Sequence, residues 1–183
     1  GTEDHGPGFG SRLSRPEKGL VGLAGPAPGP GRVRRRCPPP GAGRVATYLI
    51  DTSAWHRRGN AAVIGRLADL FSTDEVAIAE PVRLEVLFSA RSAQEYDAIS
   101  WELDGLEPAP CGNSELRRAL EVQRLLAHKA GLHHRSVRIP DLLVAATAEL
   151  AGLTVLHYDE DYERVSAVTG QSTEWIVPRG SID

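Results

Sequence analysis

The sequence predicts an α/β fold: an α/β/α sandwich around a short, mostly parallel central sheet. Two observations carry this. From Val45 onward, short apolar runs rich in β-formers alternate with longer amphipathic helical stretches, and the helices dominate. The first apolar run, Tyr48-Leu49-Ile50, ends directly in Asp51. In such folds the carboxyl edge of the sheet is where sites are built.

The 183-residue chain divides by composition into an extension, residues 1–44, and one domain, residues 45–183. Gly1–Arg44 holds 11 of the 19 Gly and 8 of the 13 Pro and shows no apolar periodicity, so it is read as disordered. It carries eight basic against three acidic residues, net +5, and the remainder carries thirteen against twenty-one, net −8. Arg34-Arg35-Arg36 reads as a solvated basic tail, with phosphate contact as the alternative. The chain has no Met. That raises the expectation of a native start near Val45, which the intact mass of the native protein would decide. A net-negative domain is a poor bulk binder of nucleic acid, although clustered acids around a metal can still cut it. Cys37 and Cys111 lie far apart with no zinc spacing, which fits a reducing cytoplasm. No apolar run reaches the roughly 18 residues of a membrane span.

The elements follow in order. After the first strand, Ala54–Phe71 suits helix, broken near Gly59-Asn60. Val76–Ala79 is a second strand. Pro81 sits in the first turn of a helix over Val82–Ala90, where its missing N–H costs nothing. Leu84, Leu87 and Phe88 form the expected apolar stripe of that helix, with Glu85 beside it. Ala93–Leu106 reads as helix through Tyr96, Ile99, Trp101 and Leu103, ended by Pro108 and Pro110. Glu115–Ala130 is the clearest helix, with Leu116, Leu120, Leu125 and Leu126 as its apolar residues and Gly131 closing it. A loop with His133, His134, Arg135 and Arg138 leads to Pro140 and a helix over Asp141–Ala151, ended by Gly152. Leu153–Leu156 is a third strand. His157-Tyr158-Asp159-Glu160-Asp161 follows, then a helix to about Val168 and a last strand, Thr173–Val177.

Four acids stand out by position: Asp51 after strand one, Glu85 in the helix after strand two, Asp141 at a helix start, and Asp159 after strand three. Each has an ordinary alternative. Asp51 suits an N-cap, Asp141 and Asp159 suit helix N-termini, and Glu85 suits an ion pair. Gathered in one pocket, they would repel and raise one another's pKa unless a cation neutralised them. Such hard oxygen ligands select Mg²⁺ or Mn²⁺.

The blocks YLIDTSAW, VRLEVLFSA, IPDLLVAATAELAGLTVLHYDEDYERV resemble the PIN-domain ribonucleases, specifically the VapC toxins of bacterial toxin–antitoxin pairs. The resemblance covers Ala46–Val177 and none of Gly1–Arg44. It implies a PIN fold with an acidic tetrad of Asp51, Glu85, Asp141 and Asp159 holding metal, Asp161 being a fifth acid on the same loop. Ser53 takes the place of the hydroxyl that supports the first Asp. His157 departs from the Thr common in the family, whose hydroxyl would orient a carboxylate or water, and it can donate a hydrogen bond instead. The resemblance further implies a homodimer, a VapB-type antitoxin that blocks the site in a heterotetramer or larger assembly, and cleavage of tRNA or ribosomal RNA in a single-stranded loop. Mg²⁺ or Mn²⁺ held by the acids would acidify water and stabilise charge on the phosphorane and leaving oxygen. Arg57 and Arg58 are candidates to grip RNA phosphate, or equally a solvated pair. The His133–Arg138 loop has the same two readings, and also that of an antitoxin contact. Trp55 and Trp101 are expected in the core or a dimer contact rather than stacked on bases.

Rival chemistries lack their residues. A haloacid-dehalogenase-like phosphatase needs an Asp at the position of Ser53. A phospho-receiver domain needs an acidic pair before the strand's Asp and a late Lys, whereas the only Lys after Arg44 is Lys129, on a helix. Dinucleotide binding needs a Gly-rich turn after a strand. The alternative of another class is a non-catalytic PIN-like module that binds RNA or protein. Degenerate modules usually lose part of the tetrad, and this chain keeps all four acids.

Overall fold

The computed structural model describes residues 46–129 and 133–182. The expectations for Gly1–Arg44, for Cys37, for a start at Val45 and for Gly131 as a helix stop lie outside these residues, and so does the His133 side chain. The described residues belong to one unit, Gly41–Asp183.

Five strands form one sheet: β1 (Tyr48–Ile50), β2 (Val76–Ala79), β3 (Glu107–Ala109), β4 (Thr154–His157) and β5 (Thr173–Trp175), in the order β3-β2-β1-β4-β5. Every pairing is parallel. Leu49 registers with Ala77 on one side and Val155 on the other. Leu49, Ile50, Val155 and Leu156 are fully buried, as the inner strands of a sheet covered on both faces should be. The helices are α1 (Thr52–His56), α2 (Ile64–Ser72), α3 (Glu80–Phe88), α4 (Ala93–Leu103), α5 (Asn113–His128), α6 (Ile139–Ala151) and α7 (Asp161–Thr169), with a 3₁₀ turn at His133–Arg135. No described helix is long and apolar enough to cross a membrane.

The chain lays β2 and β3 to one side of β1 and then returns to lay β4 on the other. The carboxyl ends of β1 and β4 therefore flank the point where strand order reverses, the place where a crevice opens in such sheets. Asp51 and the loop after His157 emerge there.

Three expectations need correction. Glu107–Ala109 is a strand, although Pro108 and Pro110 read as helix stops. Pro108 is tolerated because β3 is an edge strand. On α3 the inner face is Val82 and Val86, while Leu84 is 70% and Phe88 92% exposed. On α5 the inner face is Ala119, Val122 and Leu126, while Leu116, Leu120 and Leu125 face outward. Both helices carry two apolar stripes, and on the buried one small or β-branched side chains outnumber leucines, with Leu126 the exception on α5. Trp55 is in the core and packs on Phe71, but Trp101 is 67% exposed. α6 ends as expected at Gly152, which adopts φ 69°, a left-handed conformation that suits glycine.

Candidate metal centre

Asp51 leaves β1 fully buried and caps α1. Its Oδ2 accepts hydrogen bonds from the Ser53 backbone N–H at 2.8 Å and from the Ser53 hydroxyl. Its Oδ1 accepts from the Tyr162 hydroxyl at 2.6 Å. Both readings of Asp51 thus hold together: it is a helix cap, and it sits at the sheet's carboxyl edge. The Ser53 Oγ also accepts the Tyr158 backbone N–H at 2.8 Å, tying the loop after β4 to α1.

Asp141, in the first turn of α6, is also fully buried. Pro140 starts the helix beside it without wasting a donor. Burial pushes its carboxyl up to about 7; the charge of Asp51 adds to the rise and Arg138 opposes it. Arg138 Nε and a terminal nitrogen each stand 3.0 Å from a different Asp141 oxygen. The same terminal nitrogen reaches Asp159 Oδ2 at 3.5 Å. Asp159 Oδ1 accepts the Asp161 N–H at 3.0 Å, and Asp161 pairs with Arg164.

Asp141, Asp159 and Asp161 each offer an oxygen within 4.8 Å of the others, the described group able to hold a metal ion. Three hard anionic donors at that spacing fit Mg²⁺ or Mn²⁺. Of the five acids singled out in the sequence, these three come together, Asp161 among them. Asp51 stands behind the cluster, close enough for its charge to act on Asp141. Glu85 is half-buried on α3, and its Oε2 accepts the Thr52 hydroxyl at 2.7 Å. Its charge acts on Arg138.

His157 is fully buried at the end of β4, between the rings of Tyr162 at 5.0 Å and Trp175 at 4.9 Å. It meets the Asp159 loop as an acceptor. Its Nδ1 accepts the Asp159 N–H at 3.2 Å. Burial lowers its pKa, so the neutral ring carries its proton on Nε2, which finds no partner among the described residues.

Arg57 and Arg58 are half-buried and already engaged. Arg57 donates to the Ser53 carbonyl at 3.0 Å and stacks over Tyr158 at 4.4 Å. Arg58 stacks over Trp55 at 4.6 Å and pairs with Glu102 at 3.7 Å. Sequence reasoning passed over Tyr162 and Thr52, and it read Arg138 only as a loop cation. For Tyr162 a signal existed: a Tyr at a buried helical position needs a partner for its hydroxyl.

Residues 48–168 match the PIN domain family. The chain is 56% identical over 135 residues to Ribonuclease VapC18 of Mycobacterium tuberculosis, covering 74% of this chain and 98% of that protein. It is 43% identical to Ribonuclease VapC51 of the same organism, covering 74% of this chain and 97% of the relative. A DNA-bound VapBC crystal structure from Salmonella typhimurium shares the fold at a TM-score of 0.60 and 18% identity, over 73% of this chain and all of that one. The chain belongs to the VapC family of PIN-domain proteins.

Proposed function

We propose that the chain is a divalent-metal-dependent endoribonuclease, the toxin of a toxin–antitoxin pair, that hydrolyses phosphodiester bonds in loops of tRNA or ribosomal RNA in the cytoplasm. The observation that carries this is the convergence of Asp141, Asp159 and Asp161 beside buried Asp51 at the reversal point of the sheet. The relatives named as ribonucleases support the reading.

In this reading Asp141, Asp159 and Asp161 hold Mg²⁺ or Mn²⁺, and Asp51 and Glu85 complete the anionic wall. When bound, the metal supplies Lewis-acid activation of water and neutralises charge developing on phosphate. The chain's own residues do the rest. Ser53 and Tyr162 keep Asp51 aimed, since burial pushes the Tyr162 hydroxyl well above its ordinary range and it remains a donor. His157 holds the Asp159 amide. Arg57 and Arg58, beside the first Asp, are the candidate phosphate contacts.

The partners belong to the same proposal: a second copy of the chain and a VapB-type antitoxin. Solved relatives of the same fold are VapBC complexes. The outward apolar residues Leu84 and Phe88 on α3 and Trp101 on α4 offer the kind of surface such partners cover. Expression of the full chain in bacteria, with and without Asp141→Ala, followed by mapping of RNA 5′ ends, tests the reading. New ends at one loop, present only with the intact acid, are expected. No new ends, with Mn²⁺ also failing to support cleavage by purified protein, would leave the non-catalytic module.

A further inference from the structure

We propose that Arg138 is the resident counter-cation of the acidic centre: it clamps Asp141 and Asp159 whenever no divalent ion does, and it yields them when one binds. This rests on the reading of the centre as a metal site.

The guanidinium uses the oxygens a metal would need. Its two-pronged contact takes both oxygens of Asp141 at 3.0 Å, and it reaches Asp159 Oδ2 at 3.5 Å. The other Asp159 oxygen is turned back to the Asp161 amide. Among the described residues, Arg138 is the cation paired with Asp141 and Asp159, while Asp161 pairs with Arg164. Metal and guanidinium compete for the same lone pairs, and their like charges repel.

The two partners differ in freedom. Asp141 is fully buried in the first turn of α6, and a carboxylate so placed needs a counter-charge. Arg138 is the N-cap residue of α6 and its side chain is 55% exposed. It can swing into water without disturbing the helix, and its exposure keeps the cost of leaving small. A similar fork pairs Arg118 with Glu149 between α5 and α6, with 2.8 Å contacts on both oxygens. That pair joins two helices and touches no second acid of the centre. Arg138 differs because its partner acids are the metal-capable group itself.

Calorimetric titration of Mn²⁺ into the full chain at about pH 8 tests this. Arg138→Gln should bind Mn²⁺ about tenfold more tightly than the parent, because a competing charge is gone. Arg138→Lys, which keeps the charge but not the two-pronged fit, should fall between them. It carries the comparison if Arg138→Gln does not fold. In the parent, the Arg138 Nε–H resonance should shift and exchange faster with water on addition of Mg²⁺. Equal or weaker Mn²⁺ binding by the Arg138 variants, or an Nε–H that ignores Mg²⁺, would overturn the proposal. If Mn²⁺ binds the parent and is lost in Asp141→Asn without tightening in Arg138→Gln, only the proposal fails. If the parent binds no Mn²⁺, the metal reading fails with it.

Discussion

The two sides of the centre are held by different chemistry. Asp51, on the inner side, is met by neutral donors: the Ser53 N–H, the Ser53 hydroxyl and the Tyr162 hydroxyl. Asp141, Asp159 and Asp161, on the outer side, are met chiefly by the guanidinium groups of Arg138 and Arg164. Neutral donors packed in the core fix an oxygen permanently, since removing one leaves a buried acceptor unmet. Half-exposed cations hold charge but can be exchanged. On the proposed reading the inner half is a scaffold, and the outer half is where an incoming cation acts.

The largest test of this division is Asp51→Asn, which keeps the shape and removes the charge. RNA cleavage should fall by roughly a thousandfold or more, measured on the RNA that 5′-end mapping identifies. Retained cleavage would make Asp51 a helix cap and nothing more. Next is Tyr162→Phe, which removes one hydroxyl from the inner scaffold. Mn²⁺ affinity should drop about tenfold, as for the loss of a group that orients a metal site. The unfolding free energy should fall by about 1–3 kcal/mol, since Asp51 Oδ1 loses its buried donor. Stability loss without any change in Mn²⁺ affinity would show that Tyr162 only packs.

The outer half should respond to pH. Asp141 titrates near 7 when folded against an ordinary 3.8, so the folded chain binds that proton more tightly than the unfolded one. Stability of the metal-free protein should therefore decline as pH rises from about 4 to about 7 and then level off. Asp141→Asn should flatten this slope in thermal melts taken across the range. Mn²⁺ binding by the metal-free protein should strengthen as pH rises, because a protonated Asp141 must lose its proton to act as a ligand. The smallest effect is expected at Arg57, which braces Ser53 from outside. Arg57→Ala should cost about 0.5–1 kcal/mol from its stacking on Tyr158. A rise in KM beyond that loss would add a phosphate contact to its role.

Much of the frame was legible in the chain. Apolar runs placed β1, β2 and β4 to within a residue or two, and Pro81, Pro140 and Gly152 marked helix boundaries. β3 was not legible, because Pro108 is a strand breaker except at an edge, and being at an edge is a property of the assembled sheet. The outward leucines of α5 were misread for a related reason. Period shows that a helix has apolar faces but not which one finds a neighbour, and the close-packed side took Ala119 and Val122.

By itself, the sequence determined the alternation of elements and, through it, which acids stand at the carboxyl edge of a parallel sheet. Strand direction and connection follow from local pattern and handedness, so Asp51 and Asp159 were bound to emerge at one edge. Only the tertiary structure decided what each acid touches. Tyr162 reaches Asp51 across 111 residues of chain, and Arg138 lands on Asp141 and Asp159 together. Such pairings depend on packing distances of a few ångströms between elements, which no periodicity in the chain encodes.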